Sequence, residues 1–327
     1  MHLLSLFLHW RHILLTTLRR IFNKHPYRIA MAFFWLLLVF SIPNSIQIIF
    51  DYFGFLFLGI TGAIFANSTG AGGGVVFVPF FNQLEMQNTA IIATSFAIQC
   101  CGMTAGAVTW YQHYKSAVKD SIKDDVKDLA HPSKLKEAAQ WDYLPKGLAI
   151  TVPFSILGIW FAQFLLTAYT EQMQSELHIG FGIFSILLAI AIYASIPLLY
   201  RQKSTTKLQA FDYVVLAIIA FLGGIITAWL SVGVGELVAV YLILRGFNIT
   251  SAIALAVILS AFTVWSAIFQ HVVVTQAIYW QVLLYAGAGA IIGGIVAKRI
   301  VLYFSIVKLK IFFATWVLIM GTVGLIT

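Results

Sequence analysis

Charge is what this sequence has least of. Only 10% of its 327 residues are Asp, Glu, Lys or Arg, against 61% apolar residues and a mean hydropathy of +0.92. A soluble domain carries about 25% charged residues, so a water-soluble globular fold is excluded. Polar stretches are scarce too. The longest, 115–146, is too short and too poor in apolar residues to build a core of its own. Two cysteines, the adjacent Cys100 and Cys101, exclude a disulfide framework and supply no metal-ligand spacing. The H-E-x-x-H pattern is absent and no metal site is expected, although Na+ near Glu236 stays open. His113 and His271 read as polar groups at helix ends. No cofactor is expected.

What remains is a set of long uncharged runs: 29–50, 52–84, 86–114, 147–170, 177–200, 213–235, 246–297 and 311–327. A spanning helix needs roughly 20 apolar residues, which points to an all-α polytopic membrane protein with the lipid bilayer as its first partner. The net charge of +8 belongs to residues flanking these runs, where it sets orientation rather than binding nucleic acid. The first 28 residues are apolar before they are basic, unlike a secretory signal, and are expected to lie on the inner membrane surface.

One run breaks its own logic. In "FANSTGAGGGVVFVPFF", residues 65–81, four glycines crowd Gly70 to Gly74 in the middle of an uncharged stretch. If every run crossed once, the lysine-rich segment 115–146 and "RQKSTTK" at 201–207 would fall outside, against the positive-inside tendency. If instead 52–84 is a re-entrant hairpin turning at the glycines, and 210–244 a second one entered from the other face with "SVGVGE" at its tip, all 20 Lys and Arg fall on the cytoplasmic side. The expected order is an interfacial and first transmembrane segment (1–51), a repeat (52–200, with 115–146 as a cytoplasmic loop) and a second repeat (201–327). The N-terminus is then cytoplasmic and the C-terminus outside, in an inner (plasma) membrane of bacterial type.

A shift of 163 residues lays Ser68 on Ser231, Gly70 on Gly233, Gly72 on Gly235, Val75 on Val238 and Ala93 on Ala256. Each unit is a hairpin plus three crossings, so the second is inverted, and inverted repeats with interrupted helices mark secondary transporters. The alternative is that the glycines only let helices pack closely. A broken helix offers backbone N–H groups to an anion, and glycine allows the close approach.

The glycine-rich "STGAGGGVVFVP" with its echo "SVGVGELVAV", together with Pro79 and "ATSF" at 93–96, resembles the TauE/SafE sulfite exporter family. In the echo Glu236 replaces a glycine and Leu242 stands where Pro79 would. The resemblance covers about 53 to 325. It implies export of a small sulfur oxyanion: sulfite, or an organosulfonate such as sulfoacetate.

The candidate substrate residues are Asn67, Ser68, Thr69, Gly70, Gly72, Gly73 and Gly74 at the first tip, and Trp229, Ser231, Gly233 and Gly235 at the second. Ser95, Gln99 and Trp110 share a helical face, as Ser260, Thr263 and Gln270 roughly do. Such polar side chains also serve as interhelical hydrogen bonds or N-caps. Glu236 is the sole carboxylate expected inside the membrane region, a candidate coupling group for H+ or Na+. An anion channel or uniporter built on the same hairpins is the alternative function. No enzyme is expected, since no nucleophile–base pair emerges, and a homodimer is left open.

Overall fold

The computed structural model describes residues 26–125, 138–169, 172, 176–197 and 205–326. The expected interfacial segment up to residue 25 lies outside them, as do most of the basic segment 201–207 and the acidic connection 170–176. Among the described residues the chain is helical, with a single isolated bridge between Thr205 and Phe247. Contacts divide it into an N-terminal unit ending at Phe53 and a body from Gly54 to Thr327.

The N-terminal unit corrects one expectation. The run 29–50 is not one straight span but two helices, α1 (Pro26–Ser41) and α2 (Ser45–Tyr52), bent by 114°. Between them Pro43 lacks an N–H and disfavours helix at Ile42, and Asn44 takes a left-handed conformation at φ 57.

The body contains α3 (Gly54–Thr69), α4 (Gly74–Gln83), α5 (Asn88–Asp125), α6 (Leu144–Trp160), α7 (Leu177–Ser195), α8 (Ala210–Leu230), α9 (Val234–Leu244), α10 (Ile249–Phe269), α11 (Trp280–Tyr303) and α12 (Ile306–Ile326). Short π-helical turns, Phe161–Leu165 and Gln270–Val274, extend α6 and α10. Among the described residues five helices are long and apolar enough to cross a membrane, or six if the bent α1–α2 pair counts as one. The chain is a multi-pass membrane protein. Helix α5 runs 38 residues, about 57 Å, so residues 115–125 are helical rather than loop. No glycine or proline interrupts the chain between Gly106 and Pro132, and nothing stops the helix where the apolar run ends.

Two short elements double back on their predecessors. Phe55, at the start of α3, has its ring centroid 6.3 Å from those of Phe80 and Phe81 near the end of α4. In one straight helix the 26 residues from Phe55 to Phe81 would span about 39 Å. Likewise Asp212, at the start of α8, accepts hydrogen bonds from Tyr241 Oη (2.6 Å) and Arg245 Nε (2.7 Å) at the end of α9. Gly70 (φ 82) opens the first break, and Ser231 (φ 59) with Gly233 (φ 149) makes the second. Positive φ costs glycine little; Ser231 keeps it because its side chain and carbonyl are both engaged, as described below.

The remaining helices clasp these two pairs crosswise. α3 lies against α11, where Gly59 faces the Ala286 carbonyl and Gly289 faces that of Leu56. α8 lies against α6, where Gly158 faces the Phe221 carbonyl and Gly224 that of Ser155. α5 packs on α10 at the centre and α7 on α12 at the side. A Cβ on Gly289 or Gly158 would overlap backbone of the facing helix. Gly289→Val and Gly158→Val should therefore each destabilise the body by about 1–3 kcal/mol, lowering the thermal midpoint in detergent. Gly54→Ala, at a position with nothing within 4 Å, should leave it unchanged.

Candidate functional site

The two breaks meet one another. Gly70, in the first, sits against Ala256 and Ile253 of α10, and Gly74 sits against the Ser231 carbonyl in the second. Gly235 lies against the Gly70 carbonyl and the Ser260 hydroxyl. No side chain larger than hydrogen fits at Gly74 or Gly235 without moving backbone, so these glycines exist for close approach.

A hydrogen-bond network joins the tips. Glu236, in the first turn of α9 and 2% exposed, accepts the Gly72 amide on Oε1 at 2.7 Å and the Gly233 amide on Oε2 at 2.9 Å. One carboxylate thus takes an N–H from each break. Gln99 of α5 does the complementary work. Its Oε1 accepts the Gly73 amide (2.9 Å), while Nε2 donates to the Ser231 carbonyl (3.1 Å), the Ser231 hydroxyl (2.8 Å) and Ser95 Oγ (3.1 Å). Ser231 Oγ in turn donates to Ser95 Oγ at 2.9 Å. All of these groups are buried. Unpaired polar groups cost several kcal/mol each in an apolar medium, so the network is the condition under which two helices can stop here.

Other expected residues have supporting positions. Asn67 is buried and donates from Nδ2 to the Ala63 carbonyl (2.8 Å), while its Oδ1 has no partner. Its own carbonyl accepts Trp110 Nε1 at 3.2 Å, so Trp110 braces the end of α3. Thr69 Oγ1 accepts the Ala71 amide (3.2 Å). Ser68 donates to the Phe65 carbonyl (3.2 Å) and borders a groove of about 840 Å³ between α3, α4 and α12. That groove is walled mainly by apolar residues and meets the tips only near Ser68. Trp229 is half-buried in the last turn of α8. Thr263 does not join the tips: its Oγ1 pairs with Ser155 Oγ on α6 at 2.8 Å. Gln270 lies ten residues beyond Ser260 on the same helical stretch, roughly 15 Å further along the axis, and is not brought to the site.

Several contributors had no sequence signal. Thr227 Oγ1 accepts the Val234 amide (3.0 Å), capping α9 from the end of α8. Ser260, by contrast, was on the helical face the sequence singled out, and its Oγ is buried beside Gly235 without a partner. Asp212 follows Gln209 at capping-box spacing, the one readable cue; its ion pair with Arg245, 33 residues away, carries none. His271 is not an interfacial end group. It is buried, stacked on Phe96 at 4.9 Å, with neither ring nitrogen hydrogen-bonded.

The family model described as sulfite exporter TauE/SafE matches residues 130–323, more than half the chain. The chain belongs to the TauE/SafE family. Members of this family are membrane transporters, not enzymes, and export sulfite and sulfonates. No curated protein and no solved structure gave a match. The TauE/SafE match includes the second break, with Ser231, Gly233 and Glu236, and stops short of the glycine run at 70–74 on which the resemblance was built.

Gln99→Leu should leave the Gly73 amide and the Ser231 carbonyl without their partner, at about 1–3 kcal/mol each for a buried unsatisfied group. The expected outcome is a clear drop in thermal midpoint, whereas Gln270→Leu should change it little.

Proposed function

We propose that this TauE/SafE protein exports a small sulfur oxyanion, sulfite or a short organosulfonate such as sulfoacetate, by alternating access around the two tips. In this reading α3–α4 and α8–α9 are re-entrant hairpins entering from opposite faces of an inner membrane, with a cytoplasmic N-terminus. Residues 52–200 and 201–327 form two inverted repeats. The crosswise packing supports it: the α3 pair is clasped by α11, and the α8 pair by α6, as a twofold exchange of repeats requires. In the same way α4 touches α12 while α9 touches α7.

The observation that carries the reading is the paired donation of Gly72 and Gly233 to one carboxylate. Backbone amides from two helix starts converge on a pair of oxygens held on one atom. A sulfonate or sulfite presents the same fork of oxygens, and amide dipoles bind such groups without a fixed positive charge that would retain the cargo. Ser95, Gln99 and Ser231 supply neutral polar groups beside the amides, and Ser260 adds a hydroxyl. Asn67, Thr69 and Trp110 hold the first tip in shape. Thr263 and Gln270 are not assigned to the cargo.

The test is flux in proteoliposomes. Sulfite or sulfoacetate efflux should saturate and be stimulated by the same anion on the opposite side, and Gly74→Val, which drives a side chain into the Ser231 carbonyl, should abolish it while the protein still inserts. Flux linear in concentration without trans-stimulation would instead indicate a channel. Normal flux from the Gly74 variant would remove the tips from the pathway.

A further inference from the structure

We infer that Glu236 is a tethered anion standing where the cargo binds, so that each anion entering the tips brings one proton with it. The inference rests on the transport reading above and adds to it the identity of the coupling ion.

The geometry is that of a filled anion site. Both carboxylate oxygens face N–H donors, one from each break, and the side chain is almost wholly enclosed. An incoming sulfonate seeks those same two amides. It cannot take them while the carboxylate holds them, and two anions in contact in a low-dielectric interior repel strongly. Nothing nearby offsets the clash. The groups facing the tips are Ser95 and Gln99 from α5, Ser231 from the second break and Ser260 from α10, none of them charged or titratable. Protonation resolves both problems at once. A neutral carboxylic acid no longer competes for the amides and adds no charge.

The same surroundings favour H+ over Na+. A sodium ion wants a shell of oxygens, whereas this carboxylate is ringed by N–H dipoles of the wrong sign. A proton needs only one carboxylate oxygen. The charge balance closes: Glu236 as carboxylate with no cargo and Glu236 as acid with a bound monoanion both leave the site at one negative charge. The loaded and empty tips therefore present the same charge to the membrane, and one proton crosses with each monoanion.

The experiment is calorimetric titration of purified protein with methanesulfonate, whose sulfonate stays ionised from mildly acidic to mildly alkaline pH. Runs in buffers of different ionisation heat count the protons. The wild type should take up about one proton per anion in alkaline buffer, and its affinity should fall about tenfold per pH unit once Glu236 is ionised. Glu236→Gln should bind with no proton uptake and with affinity flat across pH. Binding to the wild type without proton uptake would overturn the inference and leave the transport reading standing. If Glu236→Gln fails to fold, the wild-type proton count decides. If neither methanesulfonate nor sulfite binds at any pH, the tip site itself falls, and this inference with it.

Discussion

A helix that stops inside an apolar interior must find partners for the backbone groups it exposes, and in this protein two helices stop against each other. The cost of each orphaned amide is several kcal/mol in an apolar medium. Glu236 and Gln99 meet it between them, one taking an amide from each break and the other joining the Gly73 amide to Ser231. The surrounding features follow from that junction. The glycines at 74 and 235 let the tips touch, Thr227 caps the start of α9, and Trp110 holds the end of α3. The Asp212–Arg245 pair ties the base of the second element. The same arrangement that satisfies the backbone also gathers amide and hydroxyl donors around one carboxylate.

Much of this was legible because polarity inside an apolar run is expensive and therefore informative. The breaks at Gly70–Gly73 and Ser231–Gly233 fall in the tracts singled out for their glycines, and Gln99, Ser95, Ser231 and Glu236 stand together at them. What periodicity could not reveal is how far along its helix a polar residue sits from the tips, or which neighbour it meets. Thr263 shares a face with Ser260 yet satisfies Ser155 on another helix, and Gln270 lies past the end of α10. Trp110 was grouped with the cargo residues by helical spacing; its indole instead supports the Asn67 carbonyl. A window of hydrophobicity likewise cannot see the 114° bend at Pro43, nor that α5 continues beyond its apolar run to Asp125.

The resemblance to TauE/SafE proteins was read mainly from the first half, with its echo in the second, whereas the family match spans residues 130–323. The two halves do different work at the junction. The first contributes a glycine-rich bend whose amides point outward from the chain, and the second contributes the carboxylate that receives one of them. Glu236, standing where the first tract has a glycine, makes the two tips complementary, acceptor against donor.

That the tips approach from opposite faces is the claim on which alternating access depends. It is tested most directly by sidedness. In a Cys100→Ala, Cys101→Ala background, single substitutions Gln87→Cys, just after α4, and Lys207→Cys, just before α8, are probed with a membrane-impermeant maleimide on intact cells and on inverted vesicles. Residue 87 should label only from outside and residue 207 only from the cytoplasmic side. Labelling of both from the same side would contradict the opposed arrangement and the transport mechanism built on it.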